Sequence, residues 1–491
     1  MVIKLGALAL SAVLLYFGTG FAPIPALTWL APLPVLLLAP RVSAKAAFAL
    51  AFLAYLLGLT NQLNFFLRTP SVPLPIGIGI IVGSSLLFGL VVWLFRALGR
   101  RGLLLLAACA PPALWVAFMY LTVLTNPTGI IWPFATSVAD VPVVTQIASV
   151  TGAWGVEFAV LLAPAALAAV LWPGAASAAR LRTGLVGAAV CLLTLVFGAV
   201  RLAGADSTAW RGVAVMSASR YQWAPDAASP DAQALIWEYV KEIAGLPVGI
   251  DTVVLPEGTL GTDEASLDRA LAPLREIARD RNIDVVIGVV HTTPEIKYNY
   301  SVDLPAGGSA PIYYTKWHFA PGAPFRRGDK LVFARDHVGL ANCMDLNFPA
   351  PIRDYARAGS RLMAVPAADE FGNGWQHSRM GLLRGVETGL SVAWAAQWGT
   401  PMISDPWGRV LTERDTESTR QPFVVAFADV PSGPGPTVYA RFGDWFAWLC
   451  LALAAAGLVA LRSVPREPGR GVGGQDAFLQ RAAGEEEPTR G

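Results

Sequence analysis

The sequence predicts an α-helical membrane bundle of about eight spans joined to an extracytoplasmic α/β domain, and three observations carry that prediction. Hydrophobic residues make up 54% of the 491 and mean hydropathy is +0.50, too apolar for a chain surrounded by water. Charge is segregated: between Met1 and Ala205 the acidic residues are Asp140 and Glu157 alone, whereas about Arg211 to Asp429 has ordinary charge density. Within that charged segment, short β-branched runs alternate with helix-like stretches, the pattern of an α/β domain.

Apolar stretches of bilayer-spanning length fall at roughly 3–21, 24–40, 45–67, 74–97, 103–124, 153–173 and 183–203, with one more at about 441–462. They divide the chain into a seven-span bundle over 1–205, a catalytic domain over 206–435, a closing transmembrane helix over 436–465 and a disordered cytoplasmic tail over 466–491, rich in Pro, Gly and charge. The first stretch is read as a span rather than a cleaved leader, because further spans follow it directly and no small-residue cleavage site precedes soluble sequence.

Lys4, Arg41 with Lys45, the Arg96, Arg100 and Arg101 cluster, Arg180 with Arg182, and Arg462, Arg466 and Arg470 all fall on one side of such a bundle, with Arg68 and Arg201 on the other. By the positive-inside rule both termini are cytoplasmic, and the domain between spans seven and eight lies on the far face, periplasmic or outer in a bacterium. The aromatic, turn-rich connection over 125–152 lies on that face and is expected to pack beneath the domain. Asn61, Gln62 and Asn64, near the outer end of the third span, read as helix-to-helix hydrogen-bonding groups, and Glu157 as an interfacial residue.

The α/β reading rests on runs at Gly212–Ser217, Thr252–Pro256, Ile283–Val290, Pro311–Thr315, His337–Ala341, Arg361–Val365, Ser391–Ala396 and Phe423–Ala428, separated by helical segments such as Asp231–Ala244, Glu264–Arg281 and Gln376–Leu390. A net charge of +2, with no basic cluster interleaved with aromatics, suggests no nucleic-acid partner. Of four cysteines, Cys109, Cys191 and Cys450 lie in apolar stretches, which leaves no disulfide framework. No HExxH, CxxC, P-loop or GxGxxG pattern stands where it would call for a metal or other cofactor.

Cys343 alone lies outside the apolar stretches. It ends the run His337–Ala341 and precedes a polar turn and Pro349, where a nucleophile on a strand-to-helix turn would be placed. Glu257, in TVVLPEGT, and Lys316, in IYYTKWHF, also end β-rich runs, so neighbouring strands would bring a carboxylate, an ammonium and a thiol together. A thiol attacks as its thiolate. Glu257 would take the thiol proton and return it to a leaving amine or alcohol, while Lys316 and the N–H of Met344 would stabilise the oxyanion of a tetrahedral intermediate. Taken singly, Cys343 can also be read as a buried structural thiol, Glu257 as a helix-start charge and Lys316 as an exposed lysine.

Together the three strings resemble the nitrilase or carbon–nitrogen hydrolase superfamily, whose triad is Glu, Lys and Cys in that chain order. With the flanking spans, the chain most resembles the apolipoprotein N-acyltransferase family, as a divergent member. Matching pieces run from Trp132-Pro133, Gln146, Gly152 and Gly155 through Leu255-Pro256-Glu257, Tyr298-Asn299, and Lys316 with His318 and Pro321. They continue through Cys343 with Phe348-Pro349, Phe371-Gly372, Gln376-His377, and Arg384 with Glu387.

The resemblance implies a nitrilase-like αββα sandwich in the bacterial inner (cytoplasmic) membrane, working without a cofactor. It implies a phospholipid acyl donor, a thioester on Cys343 and a diacylglyceryl lipoprotein acceptor. Carried over residue by residue, Glu257 is the base, Lys316 the oxyanion stabiliser and Cys343 the nucleophile, with Met344, Asp345, His318, Glu387 and Trp132 as supporting or substrate-binding residues.

The chain departs from the family at several positions. Pro324 stands where the family has a second glutamate, eight residues after the lysine, and Met344-Asp345 replaces Tyr-Glu. Ala368-Asp369 replaces Asn-Asp, with Glu370 ahead of Phe371-Gly372, and Gln397-Trp398-Gly399 replaces Asn-Thr-Gly. The connection from Lys316 to Cys343 is shorter. Two other readings stay open beside acyl transfer to an amine: a membrane-tethered amidase, and an inactive homologue that binds lipid or lipoprotein.

Overall fold

The computed structural model describes residues 1–69, 72–129, 133–205, 208–220 and 222–464; the tail over 466–491 and Trp132 lie outside the described residues. Six described helices are long and apolar enough to cross a membrane: Ala44–Arg68, Leu74–Gly99, Leu104–Thr125, Ala153–Val170, Ser177–Ala203 and Trp445–Ser463. Val2–Gly18 adds a shorter apolar helix. Where the sequence predicts one continuous span over 24–40, the chain instead forms two six-residue helices, Pro25–Leu30 and Leu33–Leu38. Pro32 and Pro34 lack N–H donors and interrupt the ladder between them, while proline is tolerated in a first turn.

Two polar side chains inside the bundle have specific partners. Asn61 Nδ2 donates to the carbonyls of Tyr16 and Thr19, both at 2.7 Å, the helix-to-helix contact read from the sequence. Glu157 corrects its interfacial reading: it is fully buried and accepts from Trp115 Nε1 and from the N–H groups of Phe134 and Ala135, each at 2.9 Å. It anchors a loop whose buried amides would otherwise be unpaired.

The described residues of the α/β part form twelve strands: β1 (Ala209–Ala218), β2 (Ile250–Val254), β3 (Leu260–Thr262), β4 (Asp284–Thr292), β5 (Lys297–Leu304), β6 (Ile312–Thr315), β7 (Gly339–Leu340), β8 (Leu362–Ala368), β9 (Ser391–Gln397), β10 (Met402–Ser404), β11 (Val410–Glu413) and β12 (Phe423–Pro431). One sheet runs β12-β1-β2-β4-β5-β6 with β3 beside β4, and the other runs β11-β10-β9-β8-β7. Helices Pro230–Ala244 and Leu267–Arg281 cover the outer sheet. Between the sheets lie Val213, Val215, Val254 and Val286 from one side and Leu340, Leu362, Ala364 and Ala393 from the other.

The inner helical layer, led by Gly374–Thr388, shares one uninterrupted apolar core with the membrane bundle. That sharing explains why almost every residue of Gly374–Thr388 is buried: one face meets the second sheet and the other meets the bundle. The described part of the connection over 133–152 packs there as expected. Arg379 pairs with Asp140 (2.6 Å) and Gln146 Nε2 donates to Trp407 O (2.7 Å).

Candidate active site

The three candidate residues follow the ends of three strands at one edge of the sandwich. After β2, Pro256 ends the ladder and Gly258, at φ 60°, turns the chain in the left-handed region open to glycine. The turn is held by the second sheet: Glu257 N–H donates to Ala367 O (3.1 Å), and Gln397 Nε2 donates to Glu257 O (2.6 Å). Gly288 on β4 permits this approach, since a Cβ there would stand 2.4 Å from Glu257 Cα. Lys316 follows β6, its N–H donating to Asn299 O (3.0 Å).

Cys343 opens the short 3₁₀ turn Cys343–Asn347 after β7. Asn342 and Asp345 close that turn: the Asp345 carboxylate accepts from the Asn342 N–H (3.1 Å), and the Asp345 N–H donates to the Asn342 carbonyl (2.8 Å). Cys343 itself has φ 35°, a conformation that costs a non-glycine residue about 1–3 kcal/mol and is held by the surrounding packing. The Met344 N–H, first after the thiol, takes no hydrogen-bond partner among the described residues.

Lys316 Nζ lies 2.6 Å from Glu257 Oε1, and Asn299 Nδ2 donates to the same oxygen at 2.7 Å. The thiol donates to Ala368 O at 3.4 Å. All three residues are buried. Burial raises the Cys343 pKa well above the ordinary thiol range and the Glu257 charge raises it further, against the opposing pull of Lys316. For Lys316, burial alone would favour the neutral amine, but Glu257, Cys343 and Asp345 outweigh it and raise its pKa above the ordinary 10.5. The resting arrangement is a neutral thiol beside a carboxylate–ammonium pair.

Asp345 links the lysine segment to the thiol turn. Its fully buried carboxylate accepts from Tyr314 OH (2.7 Å), from the N–H groups of Trp317, His318 and Asn342 (3.1, 3.0 and 3.1 Å), and meets His318 Nδ1 (3.0 Å). The His318 ring stacks on Phe348 at 3.8 Å. Asp345→Ala is expected to lower stability by about 3 kcal/mol or more, since it strands several buried donors that each cost about 1–3 kcal/mol. Chemical unfolding checks this, and Asp345→Asn, which keeps one acceptor oxygen, should lose less.

A second chain of contacts joins the site to the bundle. Asn347 Nδ2 donates to Thr128 O (3.1 Å), which turns its Oδ1 to His377 Nε2 (3.1 Å), while His377 Nδ1 meets Asp369 Oδ1 at 2.7 Å. With Nε2 as donor, the Nδ1–Asp369 contact holds one shared proton. Burial raises the Asp369 pKa above the usual carboxylate range, against the His377 contact. On the same side, Thr69 bonds Glu370 and the Arg68 guanidinium lies 4.5 Å from the Phe371 ring, so the end of the third apolar stretch grips the loop beside Cys343.

The predicted residues are thus distributed unevenly. Glu257, Lys316, Cys343, Met344, Asp345 and His318 come together, whereas Trp132 lies outside the described residues. Glu387 sits at the bundle contact, accepting from Ala153 N (2.6 Å) and Arg384 Nη1 (2.5 Å), with burial foremost raising its pKa to about 7. Asn299, Asn342, Gln397, Asp369 and His377 were not singled out as site residues. In the sequence Tyr298-Asn299 and Gln376-His377 stand out as matching strings, with His377 readable as a hydrogen-bonded structural group.

Known proteins resemble both parts of the chain. The profile for the apolipoprotein N-acyltransferase N-terminal domain matches residues 11–166, and the carbon–nitrogen hydrolase profile matches residues 213–433. Apolipoprotein N-acyltransferase of Geobacter metallireducens is 27% identical over 91% of this chain and 93% of its own. The chain belongs to the apolipoprotein N-acyltransferase family.

The Gloeobacter violaceus apolipoprotein N-acyltransferase is 36% identical over 27% of this chain and 25% of its own. An amidase from Nesterenkonia sp. AN1 superposes with a TM-score of 0.41 at 20% identity, covering 49% of this chain and 96% of that one. Where the family's second glutamate would stand, Pro324 is exposed. Lys316 instead takes its neighbouring charge from Glu257 and, further off, Asp345.

Proposed function

We propose that this chain moves an acyl chain from a membrane phospholipid to the N-terminal amine of a diacylglyceryl lipoprotein through a thioester on Cys343. The observation that carries the reading is the Glu257–Lys316 pair beside a strained, buried thiol whose turn contacts a loop of the membrane bundle. A hydrolase working in water has no need of that last contact. The match of residues 11–166 to the apolipoprotein N-acyltransferase N-terminal domain supports transfer over the membrane-tethered amidase reading.

In the first half-reaction Glu257 takes the thiol proton, and the sulfur attacks the ester carbonyl carbon of the phospholipid. Lys316 and the Met344 N–H stabilise the oxyanion. The ester C–O bond then breaks, and Glu257 returns its proton to the leaving lysophospholipid oxygen. In the second, the acceptor amine attacks the thioester and gives its proton to Glu257. The C–S bond breaks and the sulfur is reprotonated, leaving an amide.

Both termini face the cytoplasm in this reading, with the α/β part on the periplasmic or outer face of the inner membrane and an eight-span frame. The test is incubation with a labelled phospholipid, followed by mass spectrometry of the Cys343 peptide. An acyl adduct that is absent from Cys343→Ala, and that passes to a lipoprotein peptide, supports the transfer. Free acid formed at the same rate without an amine would favour the amidase, and no adduct at all would favour the inactive homologue.

A further inference from the structure

At the other end of the sandwich the inner face of the first sheet becomes charged. Alternation along β5 puts Asn299, Ser301 and Asp303 on one face. Asn299 reaches Glu257 and Ser301 reaches Ala341 O (2.8 Å), while Asp303 lies four residues, roughly 13 Å, further along the strand. Beside it, Arg211 pairs with Asp284 (2.6 Å) and Asp336 (2.8 Å) and donates to Thr252 Oγ1 (2.6 Å), and Arg335 Nε donates to Asp284 (3.1 Å).

Two guanidiniums therefore face two carboxylates, and Asp303 is a third carboxylate left over. It is 1% exposed, and neither of its oxygens has a hydrogen-bond partner among the described residues. Burial, with Asp284 adding to it and Arg211 and Arg335 opposing, pushes its pKa up to about 7. Asp303 lines a cavity of about 440 Å³ shared with Asp284, Ser309, Ile312, Phe333 and Arg335. Two buried carboxyl oxygens without a hydrogen-bond partner beside an open cavity lack a donor, which a ligand's ammonium would supply.

We propose that this cavity binds a small zwitterion of the amino-acid class, its primary ammonium on Asp303, its anionic end toward the Arg335 guanidinium and its apolar body against Ile312 and Phe333. A divalent metal fits the lining poorly. Such an ion needs several oxygen or nitrogen ligands, Asp284 is already engaged by both guanidiniums, and no group of three ligand-type side chains gathers among the described residues. The Arg335 side chain is 40% exposed, which leaves its outer nitrogens facing the rim.

Equilibrium dialysis of the full-length protein in detergent with labelled L-leucine tests the site. Unlabelled 3-methylbutylamine supplies the ammonium without a carboxylate, and 4-methylpentanoate the carboxylate without an ammonium. Saturable leucine binding is expected, weakened by about tenfold or more in Asp303→Asn and also in Arg335→Gln, as loss of a charge-assisted contact requires. Asp303→Asn is isosteric and removes an uncompensated buried charge, so it should fold. Retained acyl transfer reports that it does, because Asp303 is no part of the Cys343 cluster. Absence of saturable binding overturns the site, binding unchanged in Asp303→Asn overturns the role of the carboxylate, and amine binding as tight as leucine overturns the zwitterion.

Discussion

Lys316→Met is expected to lower stability by about 3–5 kcal/mol, the cost of leaving one member of a buried ion pair without its partner, and to slow Cys343 acylation by about 10²–10³-fold through loss of an oxyanion donor. The stranded group is Glu257, whose side chain is 3% exposed and whose remaining donor is Asn299. A Lys316→Met, Glu257→Gln double variant should recover much of the stability and none of the activity, since both charges are then gone. Urea unfolding of the three variants reads the first quantity, and single-turnover acylation the second. Lys316 has its folded pKa raised above the ordinary 10.5, so its contribution is fully present below that value and is lost as pH rises through the folded value. The stability difference should therefore be flat across neutral pH. A difference that vanished between pH 6 and 8 would show that Lys316 is not the cation being lost.

Glu257→Gln should slow acyl-enzyme formation by about 10²–10⁴-fold, the usual contribution of a positioned base. Its second consequence separates the base from a merely structural carboxylate. The Glu257 charge raises the Cys343 pKa while Lys316 lowers it, so removing Glu257 leaves the thiol under the lysine's influence. Its pKa should fall, and alkylation of Cys343 by iodoacetamide at neutral pH should become faster even as transfer fails. An unchanged or slower alkylation rate, with the fold intact, would mean that Glu257 does not govern the thiol.

The fold class was readable because lipid and water impose opposite compositions, and the acid-free first 139 residues show the difference without any alignment. Most strands were readable as β-branched runs. β5 lies outside those runs, although Tyr298, Tyr300, Val302 and Leu304 alternate with Asn299, Ser301 and Asp303 in the period of a strand; it is the polar face, with Asn299, that turns toward the site, while Tyr300, Val302 and Leu304 pack toward the outer helices. Glu157 read as interfacial for a related reason: sequence gives the depth of a residue in a span but not the loop amides that fold back onto it. The break in the second apolar stretch was marked by Pro32 and Pro34, yet apolar composition alone supported one helix there.

What the sequence determined by itself was chemical: a membrane bundle, an α/β domain, and one carboxylate, one ammonium and one thiol in an order that resembles a known family. Those properties depend on composition and local spacing, which the chain carries whether folded or not. Tertiary structure alone decided which groups meet. Glu257 and Lys316, 59 residues apart, share one oxygen contact at 2.6 Å. Asp345 gathers donors from the lysine segment, Cys343 is held at φ 35°, and Asn347 ties its turn to the bundle, whereas Asp303 on the same strand face as Asn299 is left without a hydrogen-bond partner among the described residues. These depend on strand register and on the packing of two sheets against a membrane-seated helix, and low-dielectric burial then makes each pairing or omission count for far more than it would in water.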